Sequence, residues 1–176
     1  MRRQILVVVS FLVGLVGCNQ RSASPRLETK QVTAGEIGSS LPGFSVKDFR
    51  GHSLSSTDLR GKVVLIDFWA TWCQPCKKEM PGYQKLADEY SSRGLVVVGF
   101  KFENISDVED PLQFAEGMGV RYPLAAASEE LKQKFGGIEG LPTTMLYDRQ
   151  SVLRMKVVGF ENTSKIESAL KPLVGP

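Results

Sequence analysis

The sequence predicts an α/β fold, a central mixed sheet with helices on both faces, and three observations carry that prediction. Val63-Val64-Leu65-Ile66-Asp67-Phe68 is a nearly continuous apolar run rich in β-branched residues, the pattern of a strand buried on both faces of a largely parallel sheet. Leu95 to Phe100 repeats that pattern. Between them, Met80, Tyr83, Leu86, Ala87 and Tyr90 recur at three- and four-residue spacing, which gives a helix from about Gln74 to Tyr90 one apolar face.

The remaining elements follow in chain order. Phe44 to Val46 and Ser53 to Ser55 form a short N-terminal β-hairpin extension turned at Arg50-Gly51. Asp110-Pro111 opens a helix with an N-cap and a proline at the first helical position, and Gly117 or Gly119 closes it. Ser128 caps a short helix whose Glu129 and Glu130 precede Lys132 and Lys134, an order that suits the helix dipole, and Gly136 stops it. Thr143 to Tyr147 and Val152 to Val158 form a hairpin across Asp148-Arg149-Gln150-Ser151. A last amphipathic helix carries Ile166, Ala169, Leu170 and Leu173, so the order reads ββ-β-α-β-α-α-β-β-α.

The first residues are an address. Arg2 and Arg3 precede an apolar run from Ile5 to Val16, which is shorter than the roughly 20 residues of a membrane span. The run ends in Leu15-Val16-Gly17-Cys18, which resembles the lipobox of bacterial lipoproteins, in which the leader is cut before a cysteine that then carries lipid. Residues 1–17 are accordingly expected to be a signal peptide, 18–40 a lipidated N-terminus and flexible tether, and 41–176 the folded domain. An uncleaved signal anchor is the alternative, and both readings place the domain outside the cytoplasm on a bacterial membrane.

Composition narrows the function. Of 176 residues, 42% are hydrophobic and 23% charged, a globular balance that excludes extensive disorder. The net charge is +3, and loss of Arg2 and Arg3 leaves 20 basic against 19 acidic residues, no electrostatic footprint for nucleic acid. Three cysteines are too few for a disulfide-stapled scaffold.

Two of them form Cys73-Gln74-Pro75-Cys76, at the point where a buried strand opens into a helix. Unpaired backbone N–H groups and the positive end of the dipole there stabilise a thiolate, the nucleophile of disulfide exchange. Cys73 is expected to attack and the more buried Cys76 to resolve. Half of a zinc site is the competing reading, but no second pair follows and the one histidine, His52, belongs to a β-turn region well before the cysteines. No metal is expected, and no cofactor beyond the redox-active disulfide.

Trp69-Ala70-Thr71-Trp72-Cys73-Gln74-Pro75-Cys76-Lys77-Lys78-Glu79-Met80-Pro81 resembles the active-site signature of the TlpA/ResA branch of the thioredoxin superfamily, and Gly61-Lys62-Val63-Val64 and Gly140-Leu141-Pro142-Thr143-Thr144 fit the same branch. The resemblance implies a thioredoxin fold and a cis bond before Pro142, with the backbone beside Leu141 and Pro142 pairing with substrate. Trp72, Gln74 and Pro75 flank the dithiol as further substrate contacts, Trp69 is mostly core, and Pro81 kinks its helix. Asp67 stands where thioredoxin has a buried aspartate that handles the resolving cysteine's proton, a place where TlpA/ResA-like chains more often carry asparagine. Glu79 matches a glutamate that ResA-like reductases hold near the dithiol, with a solvated helix residue as the alternative, and Glu103 is a third acidic candidate.

The resemblance further implies a monomeric reductase of disulfides in exported proteins, apocytochrome c among them. A membrane electron donor of the CcdA or DsbD kind would serve it, since nothing in the sequence binds a nicotinamide or flavin. Two alternatives stand beside this. A peroxiredoxin-like peroxidase would share the hairpin and Gly61-Lys62, but Ala70 occupies the place of that family's threonine. A copper(I) metallochaperone would use the dithiol as soft ligands, but no histidine follows it.

Overall fold

The computed structural model describes residues 33–103 and 109–175, and the leader, Cys18 and most of the expected tether lie outside the described residues. The strands are β1 (Ser45–Lys47), β2 (Ser53–Ser55), β3 (Val63–Trp69), β4 (Leu95–Phe102), β5 (Leu124–Ala127), β6 (Thr143–Tyr147) and β7 (Leu153–Val158). The helices are α1 (Gln74–Tyr90), α2 (Pro111–Gly117), α3 (Glu129–Lys134) and α4 (Thr163–Val174), with a 3₁₀ turn at Ser91–Arg93.

Five strands form one mixed sheet in the order β5-β4-β3-β6-β7, in which β3, β4, β5 and β7 run in one direction and β6 runs against them. All seven residues of β3, the central strand, are buried. Because a strand's side chains alternate, β3 divides the core in two. Val63, Leu65 and Trp69 join α1, α4 and Ala115 of α2 on one face, while Val64, Ile66 and Phe68 join α3 and Phe44 and Leu54 of the N-terminal hairpin on the other. Asp67 falls in the first set by parity, on the α1 side.

The second face is aromatic. Phe135 meets Phe68 at 5.2 Å, Phe100 at 5.8 Å, Phe44 at 6.2 Å and Tyr147 at 6.5 Å between ring centroids. The hairpin reaches this face because the Phe49 N–H donates to the Leu124 carbonyl at 2.8 Å and Asp48 bridges to Ala125.

Expected helix starts are borne out. Asp110 Oδ1 accepts from the N–H groups of Leu112 and Gln113, and Ser128 Oγ from that of Leu131. Asn162 caps α4 in the same way, through the Ser164 N–H. Helix α1 continues without a break through Pro81.

Two expectations change. Strand β5 was not foreseen: Leu124-Ala-Ala-Ala127 has no period-2 pattern, and alanine favours helix intrinsically, yet pairing with β4 from Gly99 to Phe102 fixes it as a strand. The tether does not extend to Ser40 either. The Gly38 N–H donates to the Leu153 carbonyl, the Leu41 N–H to Ser151 and the Leu153 N–H to Ser39, so residues 38–41 lie along the turn between β6 and β7. Just before them the chain also passes close to the end of α3, where a Cβ on Gly136 would stand 2.0 Å from the Ala34 carbonyl oxygen, and both Gly35 and Gly136 have positive φ.

Phe135 joins four other rings and is fully buried. Phe135→Ala is expected to destabilise the domain by about 3–5 kcal/mol, read as a lowered urea midpoint with unchanged slope.

Candidate active site

Four residues separate β3 from α1, and the last of them is Cys73. Its backbone is extended, with φ −81° and ψ 99°, and its Sγ accepts a hydrogen bond from the Cys76 N–H at 3.3 Å, so a cysteine occupies the place of a helix N-cap. Pro75 suits the first helical turn, where its missing N–H would have had no intrahelical partner. Cys73 and Cys76 are joined in a disulfide with their Cα atoms 5.3 Å apart. Cys76 is fully buried and Cys73 is 4% exposed, which leaves Cys73 the sulfur that an incoming reactant meets first.

Two carboxyls are buried on the side of the sheet that α1 covers. Asp67 is completely buried and Glu79, one turn beyond Cys76 on α1, is 1% exposed, so the solvated reading of Glu79 is set aside. No carboxylate oxygen of either residue has a hydrogen-bond partner among the described residues. Burial holds the Asp67 carboxyl well above the ordinary aspartate range, and the neighbouring Glu79 charge pushes it further. Burial likewise pushes Glu79 from 4.5 to about 8, while the Glu161 N–H and Tyr83 hydroxyl pull the other way without reaching hydrogen-bond geometry. The pair therefore holds at least one proton near neutral pH, so that at most one of the two carboxyls is charged. The Tyr83 hydroxyl shares a 2.8 Å hydrogen bond with Thr144 Oγ1, and Thr144 is the register partner of Asp67 across β3 and β6.

Above the disulfide the surface is apolar. The bond between Leu141 and Pro142 is cis. Pro142 immediately precedes Thr143, whose partners are Phe68 on one side and Val158 on the other, so Pro142 and the start of Gly159-Phe160 lie at the same sheet end as the dithiol. The Gly159 N–H donates to the Pro142 carbonyl at 2.7 Å and ties these two segments together. Trp72, Val158 and Phe160 are each more than half exposed, and Leu141 is half-buried. Gln74 is exposed and Pro75 half-buried, whereas Trp69 is wholly core, stacked on Phe114 at 5.7 Å.

The family model described as the AhpC/TSA family matches residues 37–156. The chain belongs to that family. It is 32% identical over 165 residues to the thioredoxin-like protein YneN of Bacillus subtilis, covering 93% of this chain and 94% of that one. The thiol-disulfide oxidoreductase ResA of Geobacillus thermodenitrificans is 32% identical over 142 residues, 80% of each chain. A solved thiol:disulfide interchange protein of the thioredoxin family from Chlorobium tepidum superposes with a TM-score of 0.72 at 28% identity, covering 81% of this chain and 100% of that one. The fold is the thioredoxin fold, and with its Cys73–Cys76 disulfide this family member is a thiol–disulfide oxidoreductase of the ResA type.

The structure thus brings Cys73, Cys76, Asp67, Glu79, Trp72, Gln74, Pro75, Leu141 and Pro142 to one end of the sheet. Glu103 is not among them: its side chain is 62% exposed and faces Lys101 at 3.9 Å. His52 is a turn residue as expected, with Nδ1 3.2 Å from Asp48. Cys18 lies outside the described residues. Val158 and Phe160 were missed, although a valine and a phenylalanine flanking Gly159 at a strand end carry a signal that a sequence scan for exposed aromatic residues could find.

The buried carboxyls make stability depend on pH. Folded protein binds more protons than unfolded protein between 4.5 and about 8, so stability is greatest at the acidic end and declines as pH rises through that window. The slope is about 1.4 kcal/mol per pH unit for each carboxyl that stays protonated on folding. Glu79→Gln is expected to remove one proton's worth of slope and to raise the pH 8 denaturation midpoint of the oxidised protein.

Proposed function

We propose that this oxidoreductase is a membrane-tethered, extracytoplasmic reductase of disulfides in exported proteins, apocytochrome c among its substrates. The observation that carries the reading is a disulfide at the N-terminus of α1 together with two buried carboxyls on the same side of the sheet, Asp67 of β3 and Glu79 one turn beyond Cys76 on α1. In the reduced protein the Cys73 thiolate attacks a substrate disulfide, forming a mixed disulfide and releasing one substrate thiolate. Whichever of Asp67 and Glu79 is ionised takes the proton of the Cys76 thiol, and the resulting thiolate attacks Cys73 Sγ. The second substrate thiolate leaves, and the two substrate thiolates are protonated, one with the proton held by the carboxyl and one from solvent, so one substrate disulfide becomes two thiols and Cys73–Cys76 is re-formed. Trp72, Leu141, Val158 and Phe160 offer an apolar seat for the substrate chain, and the backbone at Leu141-Pro142 pairs with it.

No helix among the described residues is long and apolar enough to cross a membrane, and attachment is assigned to lipid on Cys18. Re-reduction is assigned to a membrane donor of the CcdA or DsbD kind, and the protein acts as a monomer without nucleic acid or metal. Ala70 beside the nucleophile, and a resolving cysteine only three residues away, favour disulfide exchange over peroxide turnover.

The decisive measurement is the reduction potential of the Cys73/Cys76 couple together with trapping. A potential of about −270 mV or lower, and a Cys76→Ser variant that accumulates a mixed disulfide with an oxidised apocytochrome c peptide, are expected. A potential near about −120 mV would recast the protein as a disulfide donor. Separately, radiolabelled palmitate should enter the full-length protein in bacterial cells and be lost on Cys18→Ala, with the variant recovered in the soluble extracytoplasmic fraction.

A further inference from the structure

A pair of buried hydroxyls, Tyr83 of α1 and Thr144 of β6, has no role in the chemistry above. Glu79 and Tyr83 stand one turn apart on α1, and both are buried. Residues at this spacing share a helix face, with Cβ atoms about 5–6 Å apart. Helical side chains lean towards the N-terminus, so the long ring of Tyr83 reaches back over the turn that carries Glu79. Phenylalanine at position 83 would complete the apolar stripe of α1 without placing a hydroxyl in the core.

The far end of that ring is fixed by the sheet. The Tyr83 hydroxyl shares a 2.8 Å hydrogen bond with Thr144 Oγ1, and either oxygen can be the donor. Thr144 is 2% exposed and is the register partner of Asp67 across β3 and β6. Register partners share a face with Cβ atoms about 4.5–5.5 Å apart, so Thr144 and Asp67 both project towards α1. Each hydroxyl has one proton to give and lone pairs to receive another. When Thr144 donates to the phenol, the Tyr83 proton is therefore released to a neighbour, and the neighbour on its own helix face is Glu79.

We propose that Tyr83 is a positioning residue for Glu79: its hydroxyl turns from Thr144 to the Glu79 carboxylate when that acid ionises, while Thr144 donates to the phenol oxygen. The change needs rotation about two C–O bonds and a small adjustment of the Glu79 side chain, whose oxygens stop short of bonding geometry in the oxidised protein. Glu79 already feels the phenol, which draws its proton affinity down against the burial that raises it. Burial, and then the charges of Asp67 and Glu79, hold the Tyr83 proton on well above the ordinary tyrosine range, so Tyr83 is still a donor when Glu79 titrates. The other groups within electrostatic reach of Glu79 are Asp67 of β3, Tyr122 ahead of β5, and the Glu161 N–H before α4. The Glu161 carboxylate is itself engaged by Lys165.

This inference rests on the reading that the buried carboxyls serve the dithiol. Its test follows the oxidised protein without substrate, so its failure is separable from a failure of mixed-disulfide trapping. The Glu79 carboxyl carbon is followed by NMR as pH is raised through its midpoint of about 8. Tyr83→Phe removes a donor to the charged form, and the midpoint is expected to rise by about one pH unit. Tyr122→Phe deletes another buried hydroxyl of the same cluster and is expected to leave the midpoint in place. In the unaltered protein the Tyr83 hydroxyl proton is expected to move downfield with the same midpoint, because a bond to a charged acceptor is shorter and stronger. That readout depends on no variant folding. An unmoved midpoint in folded Tyr83→Phe protein, an equal rise in Tyr122→Phe, or a hydroxyl resonance indifferent to the titration would overturn the proposal.

Discussion

A strand covered on both faces leaves its side chains no route to water, and β3 carries a carboxylate in that position. Everything near the dithiol is arranged around this constraint. Asp67 lies on the face that α1 covers, so the helix bearing both cysteines also forms the roof over the acid. Gly99 next to it has no side chain, and Trp69 and Leu124 occupy the space a Cβ would need. The apolar packing that raises the acid's proton affinity is the same packing that holds the sheet together, so the chemistry and the core share their atoms.

The second acid sharpens this. Two carboxyls in one dry region cannot both ionise at ordinary pH, because each negative charge opposes the other and neither is hydrated. Protons are then best described as belonging to the pair. A site of this kind can accept a proton from the resolving thiol and pass it on without a histidine, and in this chain the one histidine lies in the β1–β2 turn.

Much of this could be read from the residues alone, for identifiable reasons. Strand β3 and helix α1 were legible because burial on two faces and on one face write different periodicities into a sequence. The dithiol was legible because its two cysteines are local. Glu79 was ambiguous, since it follows two lysines on a helix, and only the docking of α1 shows that Lys78 is exposed while Glu79 points inward. Strand β5 was hidden because four small apolar residues specify no period, and pairing with β4 decided the matter. The place of the segment at Tyr122 could not be read at all: it is set by Gln84, 38 residues away in sequence, whose Oε1 accepts from the Tyr122 N–H. Non-local contacts leave no local pattern.

The N-cap at Cys73 has a consequence for how such a site can change. Its sulfur receives the main-chain N–H of Cys76, and the dipole behind it is the sum of peptide groups that every sequence possesses. Substitution around the site can therefore retune the acids and reshape the rim, but it cannot delete the groups that make the nucleophile. Activation of the thiol is inherited with the backbone, and adaptation to new partners is left to the side chains.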